Sequence, residues 1–389
     1  MRVKLAIIGF GQAGGKVLDE FIAFDRQTKE SVVRGAIAVT TAKADLRGIE
    51  HVPEDRRVLV GQTRVKGHGV GADNELGAEI AEEDMGEIQS AIDDIPTHEV
   101  DAFLVVAGLG GGTGSGGAPV LAKHLKRIYS EPVYGLGILP GSDEGGIYTL
   151  NAARSFQTFV READNVIVFD NDGWRHSGES LEGGYDSINK EIVRRLNVLF
   201  SAGEVEDGDA VAESVVDASE IINTLGNGGV SSIGYAVDHV DRGDSGLLSR
   251  FSKKQLDDVD TTNRITSLVR KATLGRLTLP CEVQGAERAL LVVAGPPEYL
   301  NRKGIERGRT WLEEQTGSME VRGGDFPMPK ESSVACVVLL SGVTNVPRVK
   351  QLQAVAVEAM DNIDDLREQS DANLDALLDT GDEKLPPLF

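Results

Sequence analysis

The feature that most constrains the fold of this chain is a run of seven residues, 110–116, of which five are glycine. It follows the apolar run 102–107, which predicts a buried strand, and leads into residues 119–125, which predict a helix with proline in its first turn. Glycines let consecutive N–H groups turn toward one point, where a helix N-terminus adds positive potential. Thr113 and Ser115 add hydroxyl groups for phosphate oxygens or for a metal's water shell. A flexible linker seldom lies between a core strand and a helix, so this loop is predicted to bind phosphate.

Strand and helix patterns alternate through the first half of the chain. Short apolar segments predict further strands at residues 3–9, 36–39, 133–139 and 166–169. Apolar residues at helical spacing predict helices over residues 13–25, 72–91 and 185–203. Repeated strand–helix units build a parallel sheet with helices on both faces, and such sheets bind ligands at the carboxyl ends of their strands.

A second region follows the long helix. Its predicted strands are residues 232–239, 289–294 and 333–340, with helices over 262–274, 302–315 and 349–366. The polar stretch 242–260 is long enough to predict a projecting loop, and the acidic stretch 371–389 predicts a mobile tail. The fold class is therefore α/β, with an N-terminal Rossmann-like parallel-sheet domain, a long central helix and a smaller α+β C-terminal domain. The expected boundaries are 1–183, 184–213, 214–345 and 346–389.

Charge and cysteine content narrow the partners and the compartment. The net charge of −22 argues against nucleic acid or acidic lipid headgroups as main partners. The 40 basic residues comprise 15 Lys and 25 Arg, and an acidic, lysine-poor chain suits a salt-rich cytoplasm. Cys281 and Cys336 lie far apart without CxxC spacing, which predicts buried thiols rather than a disulfide framework or a zinc site. No apolar run reaches membrane-spanning length, so we expect a cytoplasmic protein.

A rival interpretation comes from residues 9–14, which match the GxGxxG fingerprint of dinucleotide enzymes. Such a site also needs an acidic residue near the end of the second strand, where this chain has Thr40 and Thr41. The sequence GxxxxGK[ST] of P-loop NTPases is absent. Two glycine loops after neighbouring strands favour one polyphosphate held from both sides. An NAD-linked oxidoreductase remains a disfavoured alternative.

Residues 110–116 are identical to the signature loop of the tubulin/FtsZ superfamily. The resemblance extends over roughly residues 1–345, with the motifs in family order. It implies that the chain binds GTP or GDP with Mg²⁺. The residues that match the family's phosphate, sugar and metal loops are Gly11, Gln12, Ala13, Gly14, Thr40, Gly71, Ala72, Gly110, Gly111, Gly112, Thr113, Gly114, Ser115, Gly116 and Glu144. Among these, Gln12 is expected to approach the metal, directly or through water.

Three further residues match the family positions that contact the nucleoside: Asn171, Tyr185 and Asn189. A tyrosine face can stack on a purine, and an asparagine amide offers a donor and an acceptor together. Guanine presents the complementary O6 acceptor and N1 and N2 donors. An isolated Tyr185 would more often belong to a core, and an isolated Asn171 to a turn. Their match to the family positions favours contact with the nucleoside.

The catalytic acids are implied by a segment that resembles the family's synergy loop. Asp217 and Glu220 lie three residues apart, so they share a face of a helical turn. Beside a γ-phosphate in their own subunit these carboxylates would repel it. Supplied by a neighbouring subunit, they can orient a water molecule while Mg²⁺ neutralises the phosphates. The alternative is a solvated acidic helix face.

Several positions depart from the family pattern. FtsZ carries an acid where this chain has Ala42, with Asp45 three residues later, and an arginine near the sugar is replaced by Tyr148. Val215 stands where a polar residue is usual. These changes predict slower hydrolysis. Mixed tubulin-like and FtsZ-like loops in an acidic, lysine-poor chain most resemble the CetZ group of haloarchaea, whose members are associated with cell shape and motility.

The resemblance implies a self-assembling cytoskeletal GTPase. Subunits would stack head to tail, in a heterologous contact that repeats without closing, and each interface would complete one active site. Lateral sheets are expected through residues 242–260, and an envelope or adaptor partner through the C-terminal tail, with filaments in the cytoplasm or along the envelope. Two further alternatives remain beside the NAD-linked oxidoreductase: an FtsZ-type division-ring protein, and a nucleotide-binding filament regulator with little hydrolysis.

Overall fold

The computed structural model describes residues 2–174, 181–203, 216–240 and 258–378. Its strands are β1 (Leu5–Phe10), β2 (Val33–Thr40), β3 (Arg57–Leu59), β4 (Ala102–Gly108), β5 (Val133–Leu139), β6 (Asn165–Asp170), β7 (Val230–His239), β8 (Arg288–Gly295), β9 (Val321–Pro327) and β10 (Ser333–Ser341). Its α-helices are α1 (Gly11–Thr28), α2 (Lys43–Arg47), α3 (Gln62–Val65), α4 (Asn74–Glu83), α5 (Met85–Asp93), α6 (Thr113–Ile128), α7 (Gly146–Glu162), α8 (Leu181–Ser201), α9 (Ala218–Leu225), α10 (Asp258–Leu274), α11 (Arg302–Thr316) and α12 (Pro347–Leu378).

One sheet of ten strands runs through the described part of the molecule in the order β3-β2-β1-β4-β5-β6-β7-β10-β8-β9. Its first six strands are parallel, whereas β10 pairs antiparallel with both β7 and β8. The two halves join through a short parallel ladder between β6 and β7, at Val166 with Val230 and Ile167 with Ser231. The predicted α/β class, with a parallel N-terminal half and a mixed C-terminal half, is confirmed. The division into domains at residues 183, 213 and 345 stays a prediction.

The central strands β1, β5 and β6 are buried along their whole length, as their continuous apolar runs predict. Helices α1 and α8 cover one face of the parallel half, where Val17, Phe21, Ile192 and Leu196 are buried in one apolar cluster. Helices α6 and α7 lie on the other face, and α12 packs against α7. The parallel half is therefore closed on both faces, and its strand ends are left for a binding site.

The structure changes several expected element bounds. The helix expected over residues 72–91 is two helices, α4 and α5, because it breaks at Asp84, whose carboxylate accepts a hydrogen bond from the Gly61 N–H at 2.6 Å. Helix α12 runs on to Leu378, so the first part of the expected tail at 371–378 is helical. Helix α10 begins at Asp258, inside the expected loop at 242–260. Val215 and residues 241–257 and 379–389 lie outside the described residues.

Pro119 lies inside helix α6 rather than in its first turn, because the helix begins six residues earlier, at Thr113. A proline lacks the N–H that would bond to the carbonyl four residues before it. Here that carbonyl belongs to Ser115, and the Ser155 hydroxyl on α7 donates to it at 2.6 Å. The second half of the glycine run is thus the first turn of a helix.

No helix within the described ranges is long and apolar enough to cross a membrane.

Candidate nucleotide-binding site

A cavity of about 600 Å³ opens where β1, β4, β5 and β6 end, a volume usual for small-molecule sites. It lies at the strand ends where the sequence places its site. Most of the predicted nucleotide-binding residues line it: Gly11, Gln12, Ala13, Gly71, Ala72, Gly110, Gly111, Gly112, Thr113, Gly114, Glu144, Asn171, Tyr185 and Asn189. The fold therefore brings together three glycine loops, the loop of Glu144, which is predicted to contact the sugar, and the start of the central helix.

Two helix N-termini meet at one end of the cavity. The first helical hydrogen bond of α6 runs from the Gly116 N–H to the Gly112 carbonyl at 3.0 Å, so the N–H groups of Thr113 and Gly114 have no acceptor within the helix. Helix α1 begins beside them at Gly11, where a Cβ would lie 2.8 Å from the Gly114 nitrogen. Aligned peptide dipoles and free N–H groups make this end of the cavity an anion seat.

Four predicted residues do not line the cavity: Gly14, Thr40, Ser115 and Gly116. The two glycines allow close packing, since a Cβ on Gly14 would lie 2.1 Å from the Val106 oxygen and one on Gly116 would lie 2.2 Å from the Asn74 oxygen. The Ser115 hydroxyl, expected to face phosphate, instead donates to the Gly111 carbonyl. These residues stabilise the conformation of the cavity loops without lining the cavity themselves.

The loop before α4 approaches the glycine loop in an unusual conformation. Gly71 and Ala72 have φ values of 59° and 65°, and the left-handed region is disfavoured for alanine. The Asn151 amide on α7 donates to the Ala72 carbonyl at 2.7 Å and to the Gly110 carbonyl at 3.1 Å. One buried side chain thus ties two cavity loops together and holds a strained residue at the site, as functional sites often do.

The opposite end of the cavity carries the groups predicted to contact a nucleoside. Asn171 is buried, and its Oδ1 atom has no hydrogen-bond partner among the described residues. The Tyr185 hydroxyl donates to Glu144 Oε1 at 3.0 Å, and Asn189 lies one turn further along α8 on the same face. A buried acceptor without a donor is costly unless a ligand supplies one, and a guanine N–H group would do so.

Lys16 and Asp45 also line the cavity, and the sequence did not assign either to it. Burial raises the pKa of the Asp45 carboxyl, while the Thr40 hydroxyl and the Lys16 ammonium act in the opposite direction. Lys16 stands four residues after Gln12 on α1, a spacing that places both on one helix face and could have identified it. The family's acid is replaced by Ala42 in this chain, and Asp45, three residues later on α2, supplies a carboxylate to the same cavity. Tyr148 also lines the cavity, as its family position at the sugar implies.

The side chains of the described residues do not by themselves form a metal cage. Within the described ranges, no group of three or more His, Cys, Asp or Glu side chains could hold a metal ion. Mg²⁺ commonly binds through one or two protein oxygens together with substrate phosphates and water. Gln12 and Asp45 supply oxygen donors at this cavity, so the donor set fits a magnesium ion that arrives with a nucleotide.

Asp217 and Glu220 form a reciprocal capping box at the start of α9. Asp217 Oδ1 accepts from the Glu220 N–H at 3.0 Å, and Glu220 Oε2 accepts from the Asp217 N–H at 3.3 Å. The Ser219 hydroxyl is the main cause that lowers the pKa of the Asp217 carboxyl, whereas burial raises the pKa of the Glu220 carboxyl. Both acids therefore have a structural role in their own chain.

The two acids lie at the other end of the sheet from the cavity. Asn165, the first residue of β6, donates to the Leu225 carbonyl of α9 at 3.2 Å, and Tyr134 near the start of β5 donates to the Ile222 carbonyl at 3.5 Å. Asn171 follows the last residue of β6, and the six residues of that strand span roughly 20 Å. The acids and the phosphate seat therefore face opposite ends of one subunit.

Comparisons with known protein families match almost the whole chain. The family model described as the Tubulin/FtsZ family, GTPase domain, matches residues 4–179, and the model described as Tubulin-like CetZ, C-terminal domain, matches residues 178–358. Tubulin-like protein CetZ1 of Haloferax volcanii is 72% identical over 374 residues, which cover 94% of this chain and 95% of that protein.

Two solved structures share the architecture. The GDP-bound monomer of CetZ1 from Haloferax volcanii superposes with a TM-score of 0.83 at 69% identity, over 92% of this chain and all of that one. The GTPγS-bound protofilament of CetZ2 from the same organism gives a TM-score of 0.83 at 47% identity, over 93% of this chain and all of that one.

Proposed function

The chain belongs to the CetZ group of the tubulin/FtsZ family, and on that premise we propose that it is a GTPase that assembles head to tail into filaments. The observation that carries the proposal is the separation of the phosphate seat and the acids Asp217 and Glu220 to opposite ends of one subunit. Stacking one subunit on the next brings the acid end of one against the nucleotide end of the other. The GTPγS-bound protofilament of CetZ2 supports the same arrangement for this chain.

The cavity fits a guanine nucleotide in one orientation. The N-termini of α1 and α6 receive the phosphates, because they present N–H groups and positive potential. The base binds beside Tyr185, Asn171 and Asn189. The Asn171 Oδ1 atom, which has no donor among the described residues, would accept a hydrogen bond from it. Glu144 and Tyr148 lie beside the sugar. The GDP-bound CetZ1 monomer supports a guanine nucleotide over NAD in this cavity.

Hydrolysis would need groups from two subunits. The neighbour's Glu220 would accept a proton from the attacking water and hold that water in line with the γ-phosphate, with Asp217 beside it. The raised pKa of Glu220 suits a group that takes up a proton. Mg²⁺, when bound, neutralises charge on the phosphates, and Gln12 and Asp45 would help to hold it. Chelation of Mg²⁺ should therefore stop turnover, and turnover that persists after chelation would exclude this role.

The dependence of hydrolysis on assembly tests the proposal. We expect the GTPase rate per subunit to be low in dilute protein and to rise steeply above the concentration at which filaments first sediment. A rate per subunit that stays constant across that threshold would contradict a shared site. A single-turnover assay at high concentration would separate this GTPase from a filament regulator with little hydrolysis.

We propose a role in cell shape, with filaments in the cytoplasm or against the envelope, on the strength of the CetZ resemblance. Residues 242–260 would mediate lateral sheets, and residues 379–389 would bind an adaptor or envelope protein. Imaging a tagged copy in dividing cells tests the role, because a persistent ring at the division site would favour the FtsZ-type alternative. Deleting residues 379–389 should abolish envelope association without changing the GTPase rate, and retained association would exclude the tail as the docking segment.

A further inference from the structure

Helix α12 reaches the nucleoside end of the cavity through one buried side chain, Arg348. Arg348 lies in the N-terminal turn of α12 and is 8% exposed. Its Nε atom donates to Asp170 Oδ1 at 3.2 Å, and its Nη2 atom donates to the Pro140 carbonyl at 2.9 Å. One planar cation thus joins the ends of β5 and β6, the two strands from which the nucleoside loops leave.

Both loops held by Arg348 carry predicted nucleotide contacts. Asp170 directly precedes Asn171, and its carboxylate also accepts from the Asp172 N–H at 3.3 Å. Pro140 opens the loop that presents Glu144, whose carboxylate accepts from the Gly141 N–H at 2.7 Å and from the Tyr185 hydroxyl. A fixed Asp170 therefore fixes the turn that aims Asn171 into the cavity.

A second set of contacts joins the two loops directly. The Asp172 carboxylate accepts from both the N–H and the hydroxyl of Ser142, at 2.9 and 2.7 Å. The network from α12 through both loops to α8 is therefore continuous. Arg348 links this network to α12, where its Nη1 atom also donates to Gln351 Oε1 at 3.3 Å.

The ion pair between Arg348 and Asp170 is buried, so removing the guanidinium should change the conformation or the protonation state of Asp170. Asp170 is 3% exposed, and burial raises the pKa of its carboxyl while Arg348 opposes that rise. Without the guanidinium, a buried carboxylate would be left without its partner cation. Asp170 would then take up a proton or turn toward water, and either change would shift the adjoining Asn171.

We propose that Arg348 is a positioning residue for the nucleoside end of the site, which it orders by holding Asp170 and Pro140 together. This inference rests on the proposed function, because it takes a guanine nucleotide to bind in this cavity. By thermodynamic reciprocity, a nucleotide that needs these loops ordered also strengthens the docking of α12. The C-terminal helix and nucleotide affinity are therefore coupled through one side chain.

The test is a double-mutant cycle on the affinity for a fluorescent GDP analogue. Arg348→Gln should weaken binding about tenfold in the intact chain, since a buried hydrogen-bonded charge is lost. In an Asn171→Ala background the same change should weaken binding by no more than about twofold, because its main target is gone. The matched control is Lys350→Gln, which removes one positive charge from an exposed position of the same helix and should leave affinity unchanged.

Two results would overturn the inference: unchanged affinity in Arg348→Gln, or an equal loss in both backgrounds, which would indicate a general effect on the fold. If Arg348→Gln fails to fold, Arg348→Lys serves in the same cycle, because it keeps the charge but cannot reach both Asp170 and Pro140. It should show a smaller loss that again disappears with Asn171→Ala. An unaltered protein that does not bind the GDP analogue would reject the proposed function rather than this coupling.

Discussion

Two acidic side chains, Asp217 and Glu220, combine a visible structural role with a proposed catalytic one. In their own chain they close the capping box of α9. Because glutamine at the third helical position also completes a capping box, Glu220→Gln removes the carboxylate while keeping the cap. The structural and catalytic roles can therefore be separated by one substitution.

We expect Glu220→Gln to lower the GTPase rate about 100-fold, the usual loss for a general base, with GTP affinity and melting temperature unchanged. Glu220→Ala should lose the same activity and also melt earlier, since it removes the acceptor of the Asp217 N–H and so half of the capping box. Turnover is measured by phosphate release and stability by thermal unfolding. A Glu220→Gln protein that hydrolyses GTP at the unaltered rate would remove this residue from the mechanism.

Gly111 offers a second test at the scale of one residue. A Cβ at Gly111 would meet no protein atom within 4 Å, although the residue lines the cavity. Gly111→Val should therefore fill the phosphate seat and weaken GDP binding by about tenfold or more, with little change in melting temperature. Gly114→Val is the contrasting variant, because its Cβ would lie 2.8 Å from the Phe10 carbonyl and should destabilise the fold. Equal GDP affinity in Gly111→Val would place the phosphates elsewhere.

The sequence predicted which loops line the cavity better than it predicted the orientation of single side chains within them. Gln12, Glu144, Asn171 and Tyr185 line the cavity, because family motifs fix both their order and their loops. The orientation of Ser115 could not be predicted, since it depends on where α6 begins. The position of Asp45 in the cavity lining could not be predicted either, because Asp45 lies on the short helix α2, which the sequence did not indicate.

At the scale of elements, the strands formed by continuous apolar runs could be predicted from the sequence, whereas strand β9 and the break between α4 and α5 could not. Strand β9 contains Gly323, Gly324, Asp325 and Pro327, residues that disfavour strands, and it forms at the sheet edge because β8 pairs with it along seven residues. The sequence predicts one helix where α4 and α5 form, because nothing in the local sequence shows that Asp84 accepts a hydrogen bond from the Gly61 N–H. Tertiary contacts decided both cases.

The proline in α6 gives a prediction for a whole helix. Ser155→Ala removes the donor to the Ser115 carbonyl, and leaving a buried acceptor unpaired should lower the free energy of unfolding by about 1–3 kcal/mol. Adding Pro119→Ala supplies a backbone N–H at the correct position, so the double variant should recover most of the loss. Chemical denaturation measures both. No recovery in the double variant would show that the hydroxyl does not replace the missing N–H.

At the scale of the whole molecule, the ten-stranded sheet separates the two proposed half-sites. The nucleotide cavity lies at the carboxyl ends of its parallel strands, and α9 lies at their amino ends. The sequence predicted both halves but not the distance between them, which follows from the strand lengths and from the packing of α9 beneath β5 and β6. That separation is the physical basis for the proposal that hydrolysis takes place at a subunit interface.

Mixing two variants that are each impaired in one half of the proposed site tests whether that site is shared between subunits. At a GTP concentration that fills the unaltered site but not the weakened site of Gly111→Val, that variant keeps the acids without bound nucleotide, and Glu220→Gln keeps the nucleotide but loses the base. In an equal mixture, random head-to-tail contacts would form a complete site at about one interface in four. We predict that mixtures in which both variants sediment in the same filaments regain GTPase activity to about that fraction. Co-sedimenting mixtures that stay as inactive as each variant alone would contradict a site shared between subunits.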